Sequence, residues 1–576
     1  MCGLTLTIRP LPASPTPEAS PSSALLESFR TANLCRGPDC QRSHTEVVEL
    51  QDGGKVEIVL SASVLGLRGD LTAQPLVGKR GVLGWNGQVF QGLEVGQDEN
   101  DTRKIFERLE NGETPDDVLQ GIEGPFAFIY YEFASQTIYY QLDPLSRRSL
   151  LVHPSQDDGD ETSQYFILSS CRSALARENG VKMRALLGGE GGLISLRVID
   201  IKEEEGNEVL DMNRALRRRT NLDVPETSHS PWTRVSPINA TLPLSDPAFD
   251  DPALDMEIER FIDALRNSVR RRVENIPTPG TAGQARVAVL FSGGIDCTFL
   301  AYLLHQCLPP SDPIDLINVA FAPSPKPAAV NGKGKAKELA PRSVNYNVPD
   351  RISGFDALAE LREVCPGREW RFVEVDVPYD ETRAHRERVL DLMYPSSTEM
   401  DLSLAYPLYF ASLGHGTVQN EDGTREAYQV NAKVYLSGLG ADEQLGGYAR
   451  HRHAFNQGGW QGLIDETQMD ISRLPTRNLS RDDRLISSHA RDARYPYLDL
   501  TFIAYLSSVP IWTKCDPRLG EGVGDKKLLR MAMQKIGMER AGKRVKKAMQ
   551  FGTRSAKVGG KGSGVKGPKA GERLVE

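Results

Sequence analysis

The segment Leu290-Phe291-Ser292-Gly293-Gly294-Ile295-Asp296-Cys297 limits the fold more than any other stretch of the chain. It follows the apolar run Val287–Phe291, which reads as a short strand, and leads into Phe299–Cys307, which reads as a helix. Two glycines let the backbone turn sharply and present N–H groups to an anion, and the helix N-terminus adds its positive dipole end. Ser292 adds a hydroxyl. An aspartate beside phosphate makes sense when a cation lies between them, so Asp296 reads as a Mg²⁺ ligand. A bare Ser-Gly-Gly is more often an ordinary strand–helix turn; the strand before it, the helix after it and the acid at this spacing favour the phosphate loop. The segment lacks the Gly-Lys-Ser/Thr of a nucleoside-triphosphate P-loop, which argues against γ-phosphoryl transfer.

The surrounding half alternates strand and helix. Met256–Glu274 has helical apolar spacing, and Ile314–Phe321, Trp370–Val375 and Lys433–Leu436 are strand candidates. This alternation predicts a parallel α/β sheet. The last of those strands runs into Ser437-Gly438-Leu439-Gly440-Ala441-Asp442, again strand, small-residue turn and acid, followed by Gly446-Gly447-Tyr448. The carboxyl ends of neighbouring parallel strands face one crevice, so Asp296 and Asp442 are expected to share magnesium on a pyrophosphate.

The first 200 residues differ. Val56–Leu60, Phe126–Tyr131, Thr137–Gln141, Ser149–His153, Tyr165–Ser169 and Gly192–Arg197 are strand-like runs separated by turn residues, a pattern of stacked antiparallel sheets. The 576 residues exceed one compact core. We divide them into domains at 2–200 and 255–553, a polar connector at 201–254 and a Gly- and Lys-rich disordered tail at 554–576, with a surface insertion at Pro323–Arg342. A net charge of -8 argues against non-specific nucleic-acid binding. No apolar run is long enough to span a membrane and no signal peptide is recognisable, and eight cysteines without paired Cys-x-x-Cys motifs suit reduced thiols, so a cytoplasmic location is expected.

Ser292–Asp296 together with Ser437–Asp442 resembles the synthetase domain of glutamine-dependent asparagine synthetases, a PP-loop or adenine nucleotide alpha hydrolase-like fold. Asn478–Arg484, Ala493–Asp499 and Lys526–Arg530 continue the likeness in order, and Lys546-Lys547-Ala548-Met549-Gln550-Phe551-Gly552 resembles the family's lysine-bearing loop. The resemblance implies ATP held by Phe291, Ser292, Gly293, Gly294, Asp296, Val319, Ser437 and Gly438, magnesium on Asp296 and Asp442, and a functional lysine at 546 or 547. In the other half, Cys2-Gly3, Arg36-Gly37-Pro38-Asp39, Gln74-Pro75-Leu76, Asn86-Gly87 and Asp101-Thr102 occur in the order of class II glutamine amidotransferases, which implies an N-terminal Ntn-type αββα domain. By that likeness Cys2 attacks the glutamine amide, with its own α-amino group as base once Met1 is removed. Asn86 and the Gly87 N–H hold the oxyanion, and Arg36, Gln88 and Asp101 contact glutamine.

Two features of the N-terminal half depart from the family. Gln88 stands where an acid is usual, and the arginine for the glutamine carboxylate is missing from Ser61–Leu65, with Arg68 three residues beyond. In the synthetase half Leu439 replaces a polar or acidic residue and Cys297 a serine. The implied reaction adenylates the aspartate β-carboxylate and amidates it with ammonia from glutamine. Its partners are then glutamine, aspartate and ATP, and a homodimer is compatible with the sequence. Two alternatives stay open: a divergent ATP-binding or scaffold protein that has lost glutaminase or all catalysis, and a ligase acting on another carboxylate.

Overall fold

The computed structural model describes residues 2–11, 21–51, 53–154, 162–204, 207–219, 235–248, 253–278, 281, 283–324, 344–420 and 422–558. Most of the insertion expected at Pro323–Arg342 and residues 559–576 of the expected tail lie outside them.

The N-terminal half stacks two six-stranded antiparallel sheets. One is ordered Arg184–Ala185, Leu151–His153, Phe166–Ser169, Cys2–Pro10, Lys55–Val64, Cys40–Glu49. The other is ordered Leu216–Arg219, Gly191–Ser195, Thr137–Leu142, Phe126–Glu132, Gly81–Gly87, Leu76–Val77. Alternation decides how they pack. Leu4, Leu6 and Ile8 of the first strand point between the sheets, where they meet Ile58, Leu60, Ala127, Ile129 and Ile138. The outer faces are covered by helices. Leu25, Leu26 and Phe29 of Pro21–Asn33 lie on Leu151 and Ile167, while Ile105, Leu109, Val118 and Leu119 of Asp101–Glu110 and Pro115–Gln120 lie on Trp85, Phe126 and Phe128. The layering is therefore helix, sheet, sheet, helix.

The C-terminal half is built on a seven-stranded sheet ordered Arg425–Gln429, His415–Gln419, Trp370–Val377, Ile314–Phe321, Val287–Leu290, Val434–Leu436, Asp492–Arg494. The last five are parallel, and the first two form an antiparallel edge. The parallel strands are apolar on both faces because helices cover both. Val287, Val289 and Leu436 pack on helices Ala253–Val273, Ile295–Cys307 and Lys527–Lys535, whereas Ala288, Ile317 and Tyr435 pack on Glu399–Leu413 and Leu479–Ser487. Among the described residues no helix is long and apolar enough to cross a membrane.

Two expected boundaries are corrected. The connector does not begin at residue 201: Asp200–Glu204 pairs with Asn207–Asp211, and Leu216–Arg219 adds a strand to the second sheet. The acidic run there masked the apolar Val209, Leu210, Met212 and Ala215, which are buried. Nor does the chain leave the fold at Arg554. Ser555 Oγ donates to the Ser403 carbonyl at 2.6 Å, and Val558 packs into the sheet's core. Two small residues and one valine were too faint a pattern to distinguish from a tail.

Candidate active site

The strands Val287–Leu290 and Val434–Leu436 are adjacent and parallel, with Val289 opposite Leu436, so the loops that leave their carboxyl ends lie side by side. The first loop turns at Gly293, where φ is +73° and a Cβ would come within 2.3 Å of the Ser353 backbone, so glycine is required there. Ser292 Oγ accepts from the Gly294 N–H at 3.2 Å, and Gly294 caps helix Ile295–Cys307. Phe291 is buried against Phe372. Val319 lies near the carboxyl end of the neighbouring strand, whose Ile317 carbonyl accepts from the Phe291 N–H at 2.8 Å. In the second loop Ser437 Oγ accepts from the Leu439 N–H at 3.3 Å, and Gly438 packs against Asp296 Cβ.

The two loops bring Asp296 and Asp442 to one ammonium. Lys526 Nζ is 2.6 Å from Asp296 Oδ1 and 2.8 Å from Asp442 Oδ1. Lys546 Nζ lies 2.5 Å from Asp442 Oδ1 and 3.8 Å from the centre of the Tyr448 ring. Tyr448 in turn donates to Glu443 Oε1 at 2.5 Å. Gly447 leaves room for this cluster, since a Cβ there would fall 2.0 Å from Asp442 Oδ1. Burial pushes the Asp296 carboxyl above its ordinary range, Lys526 only partly offsets this, and Asp442 adds to it. Burial also opposes the charge of Asp442, but Lys526 and Lys546 outweigh it and hold that carboxyl low. Lys526 is held firmly protonated by its two carboxylates against the cost of burial. Lys546 is lowered by burial.

The two loop lysines differ in position: Lys546 is half-buried in the cluster and Lys547 is exposed. Lys526, Glu443, Tyr448 and Arg544, which donates to the Gly293 carbonyl, were not singled out as site residues in the sequence. Lys526 carried one signal, its place in the Lys526–Arg530 match. Its backbone sits at φ +52°, an uncommon conformation for a residue with a side chain and one that functional sites tend to retain. Two converging carboxylate oxygens already hold one cationic centre at hydrogen-bond distance. That donor set fits magnesium, which binds through one or two carboxylates and substrate phosphates.

A second site lies in the N-terminal half. A small cavity is lined by Val64, Leu65, Gly66, Leu67, Arg68, Thr72, Gln74, Trp85, Gly87, Gln88, Asn100, Asp101 and Thr102. Asn100 caps helix Asp101–Glu110 by accepting from the Thr102 N–H at 3.0 Å, which fixes Asp101 at the helix start. Asp101 Oδ2 accepts from the Val89 N–H at 3.0 Å, and burial raises its pKa despite that bond and the charge of Arg68. Asn86 is fully buried on strand Gly81–Gly87 beside this cavity. The Cys2 backbone pairs with Val64 of the cavity wall; the Cys2 side chain lies outside the described residues.

Arg36 is not in this cavity. Its guanidinium is buried against Asp483 of the C-terminal half, Nη2 to Oδ2 2.7 Å. The neighbouring Asp39 accepts from the Gly66 N–H at 2.8 Å and pairs with Lys433 at 2.9 Å. The Arg-Gly-Pro-Asp stretch therefore ties the cavity wall to the strand that leads to Ser437.

A family model described as asparagine synthase matches residues 456–561. Asparagine synthetase domain-containing protein 1 of Homo sapiens is 34% identical, with 91% of each chain covered, and its Gallus gallus counterpart is 33% identical over 91% of this chain and 93% of the other. Asparagine synthetase (glutamine-hydrolyzing) 2 of Arabidopsis thaliana is 33% identical over 98 residues, 17% of this chain and 16% of that protein.

Proposed function

The chain belongs to the asparagine synthetase family, alongside the asparagine synthetase domain-containing 1 proteins, and on that premise we propose that it is an ATP-dependent carbon–nitrogen ligase that forms an amide through an acyl-adenylate. The carrying observation is the convergence of Asp296, Asp442, Lys526 and Lys546 at the carboxyl ends of two adjacent parallel strands, beside a glycine turn that opens a helix.

In this reading the triphosphate lies on the Ser292–Gly294 turn, with the backbone N–H groups and the helix N-terminus facing it. Asp296 and Asp442 would hold magnesium, which neutralises phosphate charge when bound. The aspartate β-carboxylate attacks the α-phosphorus and pyrophosphate leaves. Lys546 offsets the charge that develops there, and Lys526 keeps the two carboxylates together until the nucleotide arrives. Ammonia then attacks the acyl carbon and AMP departs with the electron pair of the broken C–O bond. Ammonia comes from glutamine: the α-amino group of Cys2 takes the thiol proton, the thiolate attacks the side-chain amide while Asn86 and the Gly87 N–H stabilise the oxyanion, the C–N bond breaks as the proton passes to the departing ammonia, and water hydrolyses the thioester to glutamate. Asp101 faces the ammonium of glutamine.

The test is AMP and pyrophosphate formation from ATP, aspartate and free ammonium, repeated with glutamine as donor. Turnover with ammonium alone supports the ligase half. The absence of AMP with either donor and with other carboxylates would leave the scaffold reading, which the neutral Gln88 already favours for the glutaminase half.

A further inference from the structure

Two free cysteines that are distant in sequence rest on one carbonyl oxygen. Cys35 Sγ and Cys171 Sγ each donate to the Ala32 carbonyl, both at 3.5 Å. Cys171 Sγ also lies 3.5 Å from Asn33 Oδ1. Ala32 and Asn33 end helix Pro21–Asn33, Cys35 sits in the turn Leu34–Arg36 that follows it, and Cys171 comes just after strand Phe166–Ser169. Two sulfurs touching one atom are separated by at most the two contacts laid end to end, and each turns about χ1 toward or away from the other. Cys40 does not compete for Cys35: although close in sequence, its side chain packs into the core between the two sheets.

The surroundings of the two thiols differ. Cys35 is exposed, and its sulfur accepts from Arg388 Nη2 at 3.6 Å. An exposed sulfur beside a guanidinium is the setting in which a cysteine meets oxidants from solvent. Cys171 is 1% exposed, and burial pushes its thiol up to about 11 although Arg36, Arg388 and Arg484 oppose it. It is therefore closed to a solute and open only to a neighbour. The pair also marks the junction of the two halves. Arg388 belongs to helix Arg386–Met393 of the C-terminal half, and Arg36, next to Cys35 in the chain, holds Asp483 there.

We propose that Cys35 and Cys171 form a redox couple, in which hydrogen peroxide oxidises Cys35 and Cys171 resolves it to a disulfide. In the first step the Cys35 sulfur attacks one peroxide oxygen and the O–O bond breaks. The other oxygen leaves with the thiol proton as water, so sulfur is oxidised to a sulfenic acid and peroxide is reduced. In the second step the Cys171 sulfur displaces the sulfenic hydroxyl, which departs as water with the Cys171 proton, and the S–S bond forms. Exchange with a thiol reductant reverses the link. The bond draws the Cys35 sulfur inward, away from Arg388, and ties the turn that carries Arg36 to the end of strand Phe166–Ser169. Oxidation is thus registered where the two halves meet, and in a reducing compartment the link is transient.

The test exposes the native full chain to a small molar excess of hydrogen peroxide, alkylates the remaining thiols after denaturation, and digests with trypsin without reduction. Trypsin releases Cys35 on residues 31–36, Cys40 on residues 37–42 and Cys171 on residues 149–172, so each link has its own mass. The expected product joins 31–36 to 149–172, lacks two hydrogens relative to the separate peptides, and disappears with dithiothreitol. In Cys171→Ser, dimedone should trap Cys35 as the sulfenic acid, and Cys171→Ala replaces that variant if thermal melts show it unfolded. In Cys35→Ser, Cys171 should stay alkylatable at the same dose. Cys35 joined instead to Cys40 or Cys2, or driven to the sulfinic acid while Cys171 remains alkylatable, would overturn the pairing. Cys171 oxidised as readily in Cys35→Ser as in the parent would overturn the order of the two steps. Cys35 left reduced at a dose that oxidises the other cysteines would overturn its reactivity.

Discussion

At the scale of single residues, the adjacent lysines 546 and 547 separate by environment. Lys546 Nζ contacts Asp442 and the Tyr448 ring, while Lys547 points to solvent. Removing a preorganised cation at a developing phosphate charge costs about 10²- to 10³-fold in rate. Lys546→Met is therefore expected to lower ATP-dependent pyrophosphate release by at least about 100-fold, and Lys547→Met to leave it within a few-fold. Equal losses in the two variants would refute the distinction. Cys2→Ala is expected to abolish glutamine-dependent turnover and to retain turnover with free ammonium, since nucleophile and base reside on one residue. Parallel steady-state assays with the two donors decide it, and glutaminase activity surviving in the variant would end the role of Cys2.

At the scale of elements, the lysine-bearing loop is held from behind by the segment that follows it. The Asp350 carboxyl sits against Gly552, where a Cβ would come within 1.9 Å of Oδ1, and the Phe321 N–H donates to the Thr553 carbonyl at 3.0 Å. Burial pushes Asp350 up to about 7, with Lys547 offsetting little of it. In the unfolded chain this carboxyl ionises near pH 4. Between about pH 4 and 7 the native state thus holds more protons than the unfolded state, and this residue's contribution to stability falls as pH rises, then levels above about 7. Asp350→Asn should abolish that slope. Its melting temperature relative to the parent is expected to rise from pH 4.5 to pH 7.5, with an upper bound of roughly 4 kcal/mol, and a constant difference would contradict the assignment. Truncation has its limit in the same element. A chain ending after Val558 keeps the Ser555–Ser403 hydrogen bond and the Val558 contact and should turn over ATP within a few-fold of the full chain, whereas one ending after Gly552 should lose that activity.

At the scale of the whole molecule, the two halves are joined by buried ions. Arg36 pairs with Asp483 and Arg148 with Asp492, both at 2.7 Å. Arg147 bridges Glu123 at 2.7 Å to the Leu498 carbonyl at 3.0 Å, and Arg272 holds Asp499 at 2.7 Å with Phe90 stacked on its guanidinium. Leu65 and Leu67 of the N-terminal cavity wall belong to the same apolar cluster as Ile258 and Phe261 of the C-terminal half. Breaking one partner of such a pair strands the other charge. Asp483→Asn should cost about 3–5 kcal/mol in guanidinium unfolding, and a loss under about 1 kcal/mol would show that the pair does not hold the halves together.

Local pattern made certain things readable in the sequence alone. Short strand-like runs separated by turn residues pointed to the antiparallel half, and short apolar runs alternating with helices pointed to the parallel sheet. The strand–glycine–helix turn at Ser292–Gly294 was legible before any contact was known, because each of these is a short-range steric or hydrophobic requirement. The long-range arrangement was decided by the tertiary structure. That Lys526 lies between Asp296 and Asp442 depends on a helix 230 residues away in sequence packing beside the loops. That Arg36 reaches Asp483 depends on how the two halves meet. A charged side chain's partner is set by what is buried beside it, and burial is a property of the packed molecule that no window of sequence contains.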